Sequence, residues 1–130
     1  MTLPQHLLAI VVVALALAGL ATRADAGGQR KRGVANAQDE ARELYKKAMT
    51  HYELGAFDDA IVEFKRAYEL TSAPGLLFNI AQVYRMKKDA EQAVYFYRTY
   101  LRLMPDAPNR ADVEARLGAV HERFHALAEH

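Results

Sequence analysis

The feature that most restricts the fold of this chain is an alanine spacing that occurs twice. Ala48 and Ala60 are separated by the same interval as Ala81 and Ala93. The repeat shift, defined here as the step along the chain from Ala48 to Ala81, therefore also carries Ala60 onto Ala93. Small residues let two helices cross closely, so this self-similarity predicts a repeated helical hairpin. Other positions correspond under the repeat shift: Leu44 with Leu77, His51 with Tyr84, Phe64 with Tyr97, and Ala67 with Tyr100.

The apolar residues after Ala35 follow the three-to-four-residue spacing of helices that bury one face. No stretch alternates every second residue, so the sequence predicts an all-α fold without a sheet. Five helical faces can be read: Ala41, Leu44, Ala48 and His51; Phe57, Ala60, Ile61, Phe64, Ala67 and Tyr68; Leu77, Ile80, Ala81 and Tyr84; Ala90, Ala93, Val94, Tyr97 and Leu101; and Val113, Leu117, Val120, Phe124 and Leu127.

Turn and cap residues predict where these helices end. Gly55 ends the first, and Asp58 and Asp59 then fall in the first turn of the second, where carboxylates favour the helix dipole. The other expected boundaries are a turn over 72–75, a cap made by Asp89 with Gln92, a stop over 105–108 and an Asn109 cap on the fifth helix.

The second copy carries Leu77, Ile80, Ala81 and Tyr84, then Ala93, Tyr97 and Pro105. This pattern resembles that of the tetratricopeptide repeat family, and the whole chain resembles small exported bacterial proteins with such repeats. The resemblance implies two hairpins over 36–105 and a capping helix over 106–130, a fragment of a right-handed α-solenoid. The first copy departs from the pattern at Lys47 and closes late, at Pro74. About three repeats are usually needed for stability, so two copies predict a marginal domain or one supported by a partner.

The resemblance also implies a concave groove, lined by the first helix of each hairpin, that holds a protein or peptide. Aromatic rings and methionines would anchor the peptide there, and Asn79 would reach its backbone. Tyr45 and Met49 stand where carboxylate-gripping members carry Lys and Asn, so no carboxylate clamp is predicted. Alternatively, Tyr45, Tyr52 and Phe78 pack on neighbouring helices and bind nothing. The corresponding residues are Arg42, Tyr45, Lys46, Met49, Tyr52 and Glu53 in the first copy, and Phe78, Asn79, Gln82, Arg85 and Met86 in the second.

A second pattern lies on the fifth helix. His121, Glu122 and His125 form an H-E-x-x-H sequence, the spacing with which zinc peptidases bind their metal. No third ligand, substrate cleft or preceding strand accompanies it, so we expect no zinc hydrolase. Glu129, one turn further, could complete a weak surface chelate with His121. Otherwise the three residues are ordinary exposed side chains.

The N-terminus has the pattern of an export signal. Residues 7–20 form an apolar run, and the small-x-small pattern that follows predicts cleavage after Ala26. The mature protein would then lie in the periplasm or be secreted. Because residues 1–6 carry no Lys or Arg and Arg30, Lys31 and Arg32 follow the run, an uncleaved membrane anchor is the alternative, and a buried helix a third. Residues 27–35 are expected to form a flexible basic leader, solvated or in contact with anionic lipid.

Composition and motifs exclude several classes of function. The net charge of +1 gives no electrostatic basis for binding nucleic acid, and the absence of cysteine excludes thiolate sites. The sequence has no glycine-rich phosphate loop and no nucleophile elbow, so we expect neither enzyme nor cofactor. The leading hypothesis is an adaptor in the bacterial envelope that binds a protein or peptide. The alternative is a structural subunit that self-associates through the fifth helix or the open array end.

Overall fold

The computed structural model describes the backbone of residues 5–129 and the side chains of residues 27–129 other than 124. This part of the chain forms five helices and no strand, which confirms the predicted all-α class. The helices are α1 (Gln5–Glu53), α2 (Phe57–Thr71), α3 (Gly75–Met86), α4 (Ala90–Leu103) and α5 (Arg110–Ala128). The chain divides into two compact units, Met1–Asn36 and Ala37–His130.

Residues 27–35, over which a flexible leader was expected, belong to helix α1. Nearly all of their side chains are exposed, and no atom lies within 4 Å of the position that a Cβ would take at Gly27, Gly28 or Gly33. Arg30, Lys31, Arg32 and Ala35 are good helix formers, which offset a cost of about 1 kcal/mol for each glycine.

The predicted signal peptide over 1–26 falls outside the described side chains, and its first four residues fall outside the described backbone. Among the residues that are described, no helix has both the length and the apolarity needed to cross a membrane. Cleavage after Ala26 stays a prediction.

Within the second unit, the end of α1 and α2 run antiparallel. Glu40 pairs with Arg66 near one end of the hairpin, and His51 contacts Glu63 near the other. The helices α3 and α4 are antiparallel as well, since Phe78 meets Tyr100 and Tyr84 meets Phe96. Between the helices of each hairpin lie the predicted alanines, Ala48, Ala60, Ala81 and Ala93, each with no exposed surface. A larger side chain at any of them would separate the helices.

The two hairpin turns are built alike. After α1, the amide of Ala56 donates to the carbonyl of His51 and that of Gly55 to Tyr52, while Gly55 has φ of +76°. After α3, at the positions related by the repeat shift, Asp89 donates to Tyr84 and Lys88 donates to Arg85, while Lys88 has φ of +65°. Both are Schellman C-caps, which need a left-handed residue. Gly55 takes that conformation freely, whereas Lys88 takes it under strain.

The starts of α2 and α4 have the residues and the cap that the sequence predicts, whereas the start of α5 does not have its predicted cap. Asp58 and Asp59 lie in the first turn of α2, and the Asp89 carboxylate accepts a hydrogen bond of 3.1 Å from the amide of Gln92 at the start of α4. The expected side-chain cap at Asn109 does not form. Its side-chain oxygen instead accepts a 2.8 Å hydrogen bond from the Tyr100 hydroxyl, which fixes α5 against α4.

The fifth helix is only partly covered by the array. Val113 is fully buried, Leu117 is half-buried and Val120 is 9% exposed, but Leu127 is 80% exposed. The side chain of Phe124 lies outside the described set. The expectation that Leu127 also lies on the buried face was wrong, because Leu127 borders an open hollow beside the end of α3 and the start of α4.

Candidate functional site

A cleft of about 580 Å³ lies between the second unit's part of α1 and the start of α3. Arg42 and Tyr45 line it from α1, and Asn79 lines it from α3. The structure thus brings together three of the predicted groove residues, from both copies of the hairpin. The other lining residues are Gln38, Ala41, Thr71, Ala73, Gly75 and Leu76.

Tyr45 is held in place and still presents surface to the cleft. Its ring meets Phe64 of α2 edge-on, with centroids 5.6 Å apart and planes at 67°. Such pairs contribute about 0.5–1.5 kcal/mol beyond area burial, which orients the ring. Because 40% of Tyr45 remains exposed, it can offer a preformed apolar contact to a bound chain.

The polar groups of the cleft are an amide and a cation. Asn79 is half-buried and makes no hydrogen bond to another described residue, so its amide is able to donate and accept. Arg42 bonds Asp39 at 3.1 Å, with both side chains more than two-thirds exposed. Exposed pairs of this kind contribute about 0–1 kcal/mol, so Arg42 can leave Asp39 for a ligand at little cost.

The other predicted groove residues of α1 do not line this cleft. Lys46 bonds Glu43 at 2.8 Å on the exposed surface, and this hydrogen bond lowers the pKa of the Glu43 carboxyl. Met49 is half-buried against the core. Tyr52 packs on Phe57 of α2, with ring centroids 5.9 Å apart. Tyr52 thus supports the hairpin turn, while Lys46 and Glu53 remain in solvent.

Three predicted groove residues of α3 face α4 and α5 instead. The Phe78 ring lies 5.6 Å from that of Tyr100 and 6.0 Å from that of Tyr97. The side-chain oxygen of Gln82 accepts from the Tyr97 hydroxyl, and from Arg85 and Arg116 at 3.2 Å each. Phe78, Gln82 and Arg85 therefore help to hold α3, α4 and α5 together.

Two of the donors to Gln82, Tyr97 and Arg116, keep fixed protonation states near neutral pH. Burial raises the pKa of the Tyr97 phenol, so its hydroxyl stays neutral. A hydrogen bond from the Arg116 guanidinium to Asp112, at 2.9 Å, raises the pKa of Arg116 and keeps it a full cation. This polar cluster is thus a structural contact between helices, in which Asp112 pairs with Arg116.

Several contributors to these surfaces were missed from the sequence. Gln38 precedes Arg42 by one helical turn, so extending the groove face backwards would have found it. The repeat shift carries Gln82 onto Ala115, so the residues next to that position, which include Arg116, were the place to look. Thr71 ends α2 and Leu76 lies in the first turn of α3, and the repeat pattern carried no signal for them.

The two histidines of the H-E-x-x-H sequence lie side by side on α5. Their ring centroids are 4.4 Å apart with planes at 73°, and both side chains are exposed. Among the described residues, no group of three or more His, Asp or Glu side chains is placed to hold a metal ion. Glu122 is exposed as well. The histidines line a different cleft, between α4 and α5.

Comparison with known proteins leaves the family open. No family model matches the chain, and no curated protein matches it. Membership of the tetratricopeptide repeat family therefore stays a prediction that rests on the residue pattern.

Proposed function

We propose that residues 36–105 are two tetratricopeptide-type hairpins whose α1/α3 cleft binds an extended segment of another protein. The chain would act as a non-enzymatic adaptor in the bacterial envelope. The observation that carries this proposal is the cleft itself, where the exposed Tyr45 ring and the Asn79 amide face one concave surface.

The repeat interpretation is supported by contacts that recur under the repeat shift. Tyr45 meets Phe64 at 5.6 Å and 67°, and the corresponding pair, Phe78 and Tyr97, meets at 6.0 Å and 59°. The left-handed turn residues, Gly55 and Lys88, correspond under the same shift. Both hairpins therefore use the same register, which two unrelated helix pairs have no reason to share.

The lining of the cleft suits a backbone more than a charged end group. Asn79 and Gln38 carry amides that match the N–H and C=O groups of an extended chain. Tyr45 and Leu76 provide apolar surface for one or two of its side chains. Arg42 is the lining cation and is already paired with Asp39, so we expect modest selectivity for acidic segments.

A photo-crosslinking experiment tests this proposal in living cells. The full chain would carry p-benzoylphenylalanine at position 45 or 79, with position 62 as the control, since Val62 is 65% exposed on α2 and does not line the cleft. We expect one shared adduct from positions 45 and 79, and none at that mass from position 62. Equal adducts from all three positions, or none, would contradict the proposal. An adduct of twice the chain's own mass would favour the self-associating subunit instead.

A variant series then assigns the chemistry. Asn79→Ala removes the amide and Tyr45→Ala removes the ring, so each should reduce the shared adduct several-fold. Lys47→Ala is the matched control, because Lys47 is exposed on α1 outside the cleft. An undiminished adduct in both cleft variants would mean that the crosslink reports proximity without binding.

Export is tested separately. N-terminal sequencing of the protein from cells should give Gly27 as the first residue if the predicted signal is cleaved after Ala26. An intact end at Met1 or Thr2 would favour the anchored alternative and leave the cleft proposal unaffected.

A further inference from the structure

A second cleft, of about 720 Å³, lies open between α4 and α5. Val94, Arg98 and Arg102 line it from α4, and Val120, His121 and His125 line it from α5. It adjoins a further hollow of about 640 Å³ that shares Glu91 and Val120 and extends to Arg123 and Leu127. This surface lies at the end of the array and shares no lining residue with the α1/α3 cleft.

The corresponding site one repeat earlier, between α2 and α3, is occupied by a helix. One repeat earlier, α2 and α3 are joined by α4, whose Phe96 ring stacks on Tyr84 with centroids 5.5 Å apart and planes at 12°. Lys65 of α2 lies 5.4 Å from the centroid of each of these rings and bonds the Tyr84 hydroxyl at 3.0 Å. An amphipathic helix thus packs there under a cation from the preceding helix.

The repeat shift carries these positions onto the open cleft. Ile61 corresponds to Val94, Lys65 to Arg98 and Tyr84 to Leu117. Ile61 is 6% exposed under its neighbours, whereas Val94 is half-buried and Tyr95 beside it is 60% exposed. The open cleft therefore keeps the apolar floor and the cation of the interior site, but no described helix takes the place of α4.

The charge of the cleft indicates what would fill it. In the described part of the chain, neither Arg98 nor Arg102 has a carboxylate within 4 Å, while Arg42, Arg66 and Arg116 each have one. Glu91 is the single carboxylate among the residues that line the cleft. Cations left unpaired beside apolar surface favour a partner with carboxylates flanking an apolar face.

We propose that the α4/α5 cleft binds an acidic amphipathic helix of another protein, in the position that α4 takes on α2 and α3. An aromatic residue of that helix lies under Arg98, as Phe96 lies under Lys65. Its carboxylates face Arg98 and Arg102. A second copy of this chain fits less well, because the apolar faces of α2, α3 and α4 are already buried within their own hairpins. The partly covered α5 carries three arginines and three carboxylates, so it is not an acidic helix.

The test uses the full chain and two labelled peptides. The first has the sequence of residues 89–104 with Gln92 and Thr99 replaced by Glu, which places both carboxylates on the same side of the helix as Phe96, and the second is the unmodified sequence. Both keep Phe96 and the same apolar face, so they differ only in charge. By fluorescence anisotropy we expect the acidic peptide to bind about tenfold more tightly, the effect of two exposed charge contacts. Equal binding, or no binding by either, would overturn the proposal.

Protein variants locate the binding site. Arg98→Glu with Arg102→Glu should remove the preference for the acidic peptide, and both residues are exposed, so folding is preserved. Lys46→Glu with Lys47→Glu makes the same charge change at exposed positions of α1, outside this cleft, and should leave the preference intact. The acidic peptide with Phe96→Ala should bind about fivefold less tightly.

An unchanged preference in the double variant would place binding elsewhere, and concentration-dependent dimerisation abolished by that variant would assign the cleft to a second copy. Either result would refute the proposal.

Discussion

The two hairpins carry different side-chain pairs at positions that correspond under the repeat shift. His51 and Glu63 of the first hairpin form a 2.7 Å contact between imidazole and carboxylate. Tyr84 and Phe96, the residues that correspond under the repeat shift, form an aromatic stack. The first pair lies at the start of the second unit's array, whereas Lys65 of α2 covers the second pair. A contact covered by a neighbouring helix gains more from apolar area, so the comparison relates residue choice to the position of the hairpin along the chain.

A second difference is which helix of each hairpin carries the tyrosine of the aromatic pair. The first hairpin has Tyr45 on its leading helix and Phe64 on its second, and the next hairpin has Phe78 and Tyr97 in the opposite order. The hydroxyl thus moves from the cleft side, where Tyr45 is partly exposed, to the buried contact with Gln82. The first hairpin keeps its ring for the cleft, while the second uses its ring to hold α4 and α5.

The largest expected effect tests whether both hairpins depend on this shared aromatic position. Phe64→Ala and Tyr97→Ala should each lower the free energy of unfolding by about 3–5 kcal/mol, because both side chains are at most 1% exposed. Urea unfolding followed by circular dichroism measures the change. Val62→Ala, on an exposed position of α2, should change it by less than about 0.5 kcal/mol. A mild effect at one aromatic only would break the equivalence of the two hairpins.

The next effect comes from exchanging the two unlike pairs. Tyr84→His with Phe96→Glu removes the stack and the contact with Lys65, and we expect a loss of about 2 kcal/mol. His51→Tyr with Glu63→Phe, in the first hairpin, should gain about 1 kcal/mol or less, since no preceding helix of the second unit covers that pair. Equal and opposite changes in thermal unfolding would contradict the role assigned to position in the array.

A smaller effect separates the two turns. Lys88→Gly relieves a left-handed lysine and should stabilise the protein by about 0.5–1 kcal/mol. Gly55→Ala imposes the same conformation on a residue with a Cβ and should destabilise it by about 1 kcal/mol. Chemical denaturation of both variants provides the measurement, and changes of the same sign would show that the turns are not equivalent.

The smallest effect is a pH dependence confined to the second hairpin. Burial raises the pKa of Tyr97, so folding favours its neutral form. That contribution is fully present below about pH 10, the unfolded value, and is lost as the pH rises through the folded value. The stability difference between the natural chain and Tyr97→Phe should therefore fall as the pH rises above about 10. A difference independent of pH would mean that the phenol ionises equally in both states.

The sequence predicted most of the features that the two hairpins have in common. The alanine spacing located both hairpins, and Gly55, Asp58 and Asp89 marked helix ends, because these features depend on local geometry that each residue imposes itself. The sequence also placed Arg42, Tyr45 and Asn79 on a groove, and the structure brings them to one cleft.

Features that depend on contacts between repeats were not predictable in this way. Phe78, Gln82 and Arg85 have the spacing of groove residues, yet α5 lies close enough for Arg116 to reach Gln82. Asn109 has the chemistry of a cap, but the Tyr100 hydroxyl binds its side chain first. Leu127 continues an apolar stripe, but the residues opposite it, at the end of α3 and the start of α4, leave an open hollow. Each outcome is set by where the next helix lies, which no local pattern specifies.

The Gln82 oxygen that accepts from Tyr97, Arg85 and Arg116 joins three helices at one atom. Breaking that cluster exposes a buried hydroxyl and frees two guanidinium groups at the same time. In hydrogen exchange, the amides of α3, α4 and the first half of α5 should therefore open together as one cooperative unit. The last turns of α5, beyond Val120, should exchange independently and earlier.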